Sequence, residues 1–167
     1  MSDYVFFWGH TGDGKSLGKE VFSQWFPASF QADGRIFSTT EQWMMFQKAV
    51  LFKDNHTASL ILREPDPKKI KALGRKVKNF DEKTWDKYKY AIVLKGNYLK
   101  FTQNRKLLQV LLSYEGKTFV EASPYDKVWG IGLRATDKRA LTETTWQGEN
   151  LLGKALTKIA NDLKDMY

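Results

Sequence analysis

Ser38-Thr-Thr-Glu-Gln-Trp-Met-Met-Phe-Gln-Lys-Ala-Val-Leu-Phe-Lys53 is the stretch on which the reading of the fold turns. Ser38-Thr-Thr-Glu41 has the form of a capping box, a hydroxyl followed three residues later by a glutamate, and it predicts a helix to about Lys53. At 100° per residue, Trp43, Phe46 and Val50 fall on one side. Met45 and Phe52 fall on the opposite side, with Met44 and Leu51 between. A helix that is apolar almost all round is covered on most of its faces. Glu41 and Lys48 nevertheless share one line with Met45 and Phe52, and helical side chains lean toward the N-terminus, so Lys48 reaches back toward Glu41. Opposite charges on a covered stripe suggest a pocket wall, where a desolvated lysine acts as a nucleophile and a carboxylate stabilises a cation. Both also have plain structural uses, Glu41 as the acid of the box and Lys48 as a side chain that carries its ammonium to solvent.

Around this helix the remaining chain supplies short strands and more helices. Tyr4–Trp8 reads as a strand, followed by a glycine-rich loop at Gly9–Gly14, and Arg35–Ser38 reads as another strand after Gly34. Asp66-Pro67 starts a helix that Gly74 closes, Asp81 caps a long helix through Trp85, Tyr88, Ile92 and Leu99, and Asn104 begins one more. Thr118–Ala122 and Val128–Ile131 read as strands around the turn Ser123-Pro-Tyr-Asp126. Leu152, Ala155, Leu156, Ile159 and Leu163 keep helical spacing in a last helix. Residues 133–147 read as a loop insertion. Strands and helices do not alternate regularly, so the expectation is a helix-rich α+β fold with a small β-sheet, residues 1–167 forming one domain.

Composition narrows the chemistry. The 167 residues include no cysteine and two histidines, His10 and His56, which excludes thiolate catalysis, disulfides and cysteine- or histidine-rich metal sites. The expectation is no metal and no cofactor. No apolar run approaches a membrane span and no signal peptide is visible, so a cytoplasmic or nuclear location is expected. The net charge of +8 is concentrated: residues 66–106 hold 13 basic and 4 acidic side chains. That face suits phosphates of a nucleotide or nucleic acid, or is simply the solvated side of two helices.

Gly9-His-Thr-Gly-Asp-Gly-Lys-Ser16 fits the G-x-x-x-x-G-K-[ST] pattern of a phosphate-binding P-loop. The expected second strand with a magnesium-binding aspartate is absent from the sequence beyond it, and Pro27 interrupts the next segment. A P-loop NTPase is therefore one reading and a surface turn the other.

Further clusters combine in order: Phe22-Ser-Gln-Trp-Phe-Pro27; Gly34, Phe37 and Glu41; Lys48-Ala49; Gly74-Arg75; Lys100-Phe101 with Gln103-Asn104; Glu121-Ala-Ser123; Asp126-Lys-Val-Trp129-Gly-Ile-Gly132; and Gly148-Glu-Asn150-Leu-Leu-Gly153. In this combination, from about residue 6 to residue 160, the chain resembles the NADAR family of YbiA-type N-glycosidases. The resemblance implies hydrolysis of a ribose–base N-glycosidic bond without a metal. It implies Glu41, Lys48 and Asp126 as the catalytic group, and Ser23, Arg75, Glu121, Trp129, Gly130, Gly148 and Asn150 as substrate-binding residues. Arg75 would clamp a phosphate or cap a helix end, Trp129 would stack on a base or fill the core, and Asn150 would bind ribose hydroxyls or cap the last helix. Two substrates fit the family: ADP-ribose on guanine in nucleic acid, favoured by the basic segment, and phosphoribosylamino-pyrimidine intermediates of riboflavin synthesis. A non-catalytic ADP-ribose-binding module is the reading from a different class. Gln42 stands where many relatives have histidine, so no histidine acid is expected beside Glu41. Nothing in the sequence fixes an oligomeric state.

Overall fold

The computed structural model describes residues 3–167 and is a helix-rich α+β fold. Its strands are β1 (Tyr4–Phe7), β2 (Phe30–Ala32), β3 (Arg35–Phe37) and β4 (Thr118–Glu121). Its helices are α1 (Thr40–Leu51), α2 (Asn55–Arg63), α3 (Pro67–Arg75), α4 (Glu82–Thr102), α5 (Arg105–Leu112) and α6 (Leu151–Leu163), with 3-10 turns at Lys19–Phe22, Lys138–Leu141 and Glu143–Thr145. Among the described residues no helix is long and apolar enough to cross a membrane. The small sheet is two separate two-stranded pairs, β1 with β4 in parallel and β2 with β3 antiparallel. Contacts divide the chain into two compact units.

One unit spans Gln24–Asn104. Its hairpin β2–β3 turns on Asp33 and Gly34, both at positive φ, the Asp-Gly signature of a tight two-residue turn. Phe30 and Phe37, paired across the hairpin, stack at 5.7 Å, and Trp43 and Phe46 of α1 meet Phe37 edge-on at 5.2 and 5.4 Å. The Trp43 indole N–H donates to the Ile92 carbonyl of α4 at 2.9 Å, and Gly96 leaves room for that ring. The helix α1 is thus covered along most of its length, as its composition requires. Val50 is the exception at 43% exposed.

The structure overturns two sequence expectations and adds a helix. Thr39, not Ser38, caps α1: its side chain accepts from the Gln42 backbone N–H, and Gln42 Oε1 accepts from the Ser38 N–H. The box is displaced by one residue, and Glu41 is released from it. Gly74 does not close α3 but lies inside it, where any Cβ would collide with the Met45 side chain of α1. Helix α2, absent from the sequence reading, is started by buried Asp54, which accepts from the N–H and hydroxyl of Thr57 and from the N–H of Lys78. Those bonds hold the Asp54 carboxyl down at about 2.

The other unit comprises the residues up to Ser23 together with Arg105–Tyr167. Phe22, Phe119 and Tyr114 pack edge to face at its centre, and α6 presents Leu152, Leu156, Ile159 and Leu163, all fully or almost fully buried. Val120, Ile131, Leu133 and Ala140 form a second cluster beneath Tyr4, Phe6 and Trp146. The segment 133–147, mostly exposed, is anchored to that cluster through Leu133, Ala140 and Trp146, whose indole donates to the Ala140 carbonyl at 2.9 Å. Val128–Ile131 is not a strand. Asp126 Oδ1 accepts from the N–H groups of Val128 and Trp129, which bends this segment into a loop instead.

Candidate active site

In the Gln24–Asn104 unit the structure brings Glu41, Lys48 and Arg75 together. Glu41 is 5% exposed on the first turn of α1, and its Oε1 accepts from the Trp25 indole N–H at 3.3 Å. Two turns on, Lys48 is half-buried and its ammonium lies 4.7 Å from the Phe80 ring centre and 5.6 Å from that of Trp85. Among the described residues no carboxylate comes within ion-pair distance of that ammonium. Burial pushes the Lys48 pKa below its ordinary value; the Glu41 carboxylate opposes this and the Arg75 guanidinium adds to it. Arg75 ends α3 with its side chain exposed, and the close approach of α3 to α1 at Gly74 places it within electrostatic range. The arrangement is a half-buried amine of lowered pKa on an aromatic bed, with a buried carboxylate on the same stripe.

Trp25, Phe80 and Trp85 are site residues that the sequence reading does not reach. Phe80 and Trp85 carry a usable signal. With Asp81 as cap of α4, they stand at N′ and N4, the positions of a hydrophobic staple. Lys100 is a further addition. It is wholly buried on α4, its ammonium 5.1 Å from the Phe101 ring centre and 5.9 Å from that of Phe26, and burial lowers its pKa to about 7.

The other expected site residues lie in the second unit, around the carboxyl ends of β1 and β4. Because the two strands run parallel with Phe7 opposite Glu121, both chains leave the pair at one edge. Glu121 ends β4 half-buried, Ser23 closes the Lys19–Phe22 turn, and Trp129 is half-buried in the loop that Asp126 organises. Asp126 therefore has a structural duty through Oδ1 and its own carbonyl, which accepts from Gly132 at 3.1 Å.

Gly130, Gly148 and Asn150 build this loop pair. The 126–132 loop and the 147–152 segment are zipped by backbone bonds: Gln147 N–H to Ile131, Glu149 N–H to Lys127, Asn150 N–H to Gly130 and Leu152 N–H to Trp129. A Cβ on Gly130 would lie 2.8 Å from the Glu121 carbonyl oxygen, and one on Gly148 would lie 2.8 Å from that of Lys127. Asn150 stands at the N-cap position of α6, but its side chain makes no cap hydrogen bond there. It sits in the left-handed region at φ 54°, 1% exposed; its Oδ1 accepts from Glu121 N–H and its Nδ2 donates to the Phe119 carbonyl, both at 3.0 Å. The side chain extends the ladder of β4. Gly153, where a Cβ would strike the Phe119 carbonyl, lets α6 reach the strand. Asn150→Ala strands two backbone groups and loses the residue type that tolerates this φ, so it should lower stability by about 2–4 kcal/mol in urea unfolding. A loss under about 0.5 kcal/mol, the level of an ordinary surface change, would refute this role.

The Gly9–Ser16 loop is not a P-loop. The backbone N–H groups of Lys15 and Ser16, which would cradle a phosphate, donate to Asp13 Oδ1 at 2.8 and 3.1 Å. The loop leads into a four-residue 3-10 turn rather than an α-helix. A shallow depression on β4 and α6, lined by Thr118, Lys154, Thr157, Lys158, Asn161 and Asp162, contains none of the candidate residues.

The profile of the NADAR domain matches residues 6–164. A protein of Acanthamoeba polyphaga mimivirus named N-glycosidase R617 is 46% identical over 164 residues, covering 95% of each chain. A Zea mays protein named riboflavin biosynthesis protein PYRR, chloroplastic, is 29% identical over 156 residues, which are 86% of this chain and 23% of that protein. The NMR structure of the E. coli protein YbiA matches with a TM-score of 0.79 at 24% identity, covering 99% of this chain and 88% of that one, and so shares its fold.

Proposed function

The chain belongs to the NADAR domain family, and from that premise we propose that it is an N-glycosidase that needs no metal and removes ADP-ribose from ADP-ribosylated guanine in nucleic acid. The observation that carries the chemistry is the Lys48 amine, lowered in pKa by burial and held over Phe80 and Trp85 with Glu41 on the same helical line. The name of the mimivirus relative, an N-glycosidase, supports the bond type.

In this reading, breaking the bond between ribose C1 and the base nitrogen sends its electron pair to the base, and positive charge grows on the ribose. Glu41 stabilises that charge. The neutral Lys48 amine forms a bond to C1 and gives up a proton, which leaves with the base. The ring oxygen then departs from C1 and takes the second proton of the amine as the sugar opens, producing a Schiff base on Lys48. Water adds to C1, the amine is expelled, and the released ADP-ribose closes its ring. Arg75 supplies a guanidinium for the pyrophosphate. Asp126 holds the loop that carries Trp129. The basic segment of residues 66–106 supports a polyanionic substrate.

The test is chromatography with mass detection on an oligonucleotide bearing ADP-ribose on guanine, run in chelator with wild-type protein and with Lys48→Ala. Release of ADP-ribose and intact guanine by the wild type alone is the expected result. Release by both proteins removes Lys48 from the mechanism. Release by neither rejects this substrate and favours the phosphoribosylamino-pyrimidines, which the name of the maize relative supports. Binding without product from either substrate would favour the non-catalytic module.

A further inference from the structure

Trp8 and Tyr125 leave the parallel pair β1–β4 at the same edge, and neither is needed by the core. Trp8 is 50% exposed and Tyr125 78% exposed, yet their rings touch, with centres 5.8 Å apart and planes tilted by 56°. The Arg134 guanidinium, itself exposed, lies 5.9 Å from the centre of the Trp8 ring. All three belong to one unit. Both rings stand on hydrogen-bonded backbone. Trp8 directly follows β1, where the Phe7 carbonyl accepts from Ala122 at 2.9 Å. Tyr125 follows Pro124 in a turn whose buried Ser123 hydroxyl accepts from the Tyr125 N–H at 3.2 Å, and Asp126 fixes the loop on its far side.

We propose that Trp8, Tyr125 and Arg134 form a stacking platform for an unpaired base of a single-stranded polynucleotide. The inference rests on the proposed function only in taking the substrate to be a polynucleotide. Aromatic faces and arginine planes are the surfaces on which unpaired bases stack. The exposed Arg134 guanidinium beside the Trp8 ring suits an adjoining phosphate better than an apolar protein surface would. Rigid presentation lowers the entropy lost on binding.

Fluorescence anisotropy at one fixed salt concentration decides it, using a labelled, unmodified single strand of about ten nucleotides and an abasic strand of equal length. The strand with bases should bind more tightly. Tyr125→Ala should weaken it about five- to a hundredfold and leave the abasic strand unchanged. Tyr125 is so exposed that this variant should melt with the wild type, which a thermal scan verifies. Equal affinity for the two strands overturns the platform. So does unchanged binding by Tyr125→Ala, or tighter binding of a proline-rich peptide than of the strand. Hydrolysis is not read here, so the two ideas fail separately. Base-dependent binding through Tyr125 without ADP-ribose release would sink ADP-ribosylated guanine as the substrate and leave the platform standing, and release without such binding would sink the platform alone.

Discussion

Lys48→Arg is expected to slow N-glycosidic cleavage about a thousandfold or more, equivalent to roughly 4 kcal/mol of lost transition-state stabilisation. Arginine keeps the positive charge and the contact with the rings of Phe80 and Trp85, but it has no free amine at neutral pH and cannot form an imine. The charge-preserving change therefore separates a nucleophile from an electrostatic fixture: full activity in this variant would end the Schiff-base mechanism. Two further readouts bear on the same residue. Borohydride added during turnover should fix an ADP-ribose-sized mass onto the wild type and not onto the variant. The reactive form is the unprotonated amine, so the rate should rise with pH through the Lys48 pKa, which burial places below the ordinary 10.5. Because the Arg75 guanidinium also lowers that pKa, Arg75→Ala should move the rising limb to higher pH. A limb that stays in place would separate Arg75 from Lys48.

Much of this site is legible in α1 alone, since the wheel puts Glu41 and Lys48 on one line and the structure keeps both beneath neighbouring elements. The capping of that helix is misleading because it is degenerate. Ser38-x-x-Glu41 and Thr39-x-x-Gln42 are both legitimate capping boxes, and only packing decides between them. The structure takes the second, so Glu41 has a carboxylate to offer elsewhere. Asn150 misleads for a related reason: an asparagine before a helix reads as a cap, and nothing local says that its amide pairs with β4, about thirty residues away in sequence. The Gly-x-Asn-x-x-Gly and Trp-Gly-x-Gly clusters have the look of ligand-binding motifs. Their glycines instead permit backbones to pass within van der Waals contact, a constraint on the fold. The P-loop pattern is a true match in letters. Its third residue before Ser16, Asp13, carries the anion that occupies the loop's own N–H groups. Strand β2, at three residues, is too short to produce a periodic signal, and the sign of it lies in the Asp33-Gly34 turn. Val128–Ile131 has the β-branched and aromatic character of a strand, and Asp126 overrides that preference by capping the loop.

Lys100 leads to the other large effect, on stability rather than on catalysis. Its side chain is fully buried beside Phe26 and Phe101, and burial lowers its pKa from 10.5 to about 7. In the unfolded chain the same amine is in water and keeps its ordinary value. Between pH 7 and 10.5 the unfolded state therefore binds more protons than the folded state, and stability rises with pH across that window. Below pH 7 both states are protonated, and the whole cost of burying the ammonium is present, as much as about 5 kcal/mol. Lys100→Met keeps the length and apolar stem of the side chain and removes the titrating group. Urea unfolding of the two proteins from pH 6 to 10 should show the variant more stable at pH 6, with the gap narrowing steadily as the pH rises. Parallel curves would mean that the Lys100 pKa is the same in both states, and that the fold holds this ammonium at no cost. A variant less stable at every pH would mean that the charge contributes more through its interactions than its burial costs, the opposite of a lysine retained at the expense of stability. The converging curves follow from the complete burial of the amine, and they need no knowledge of the substrate.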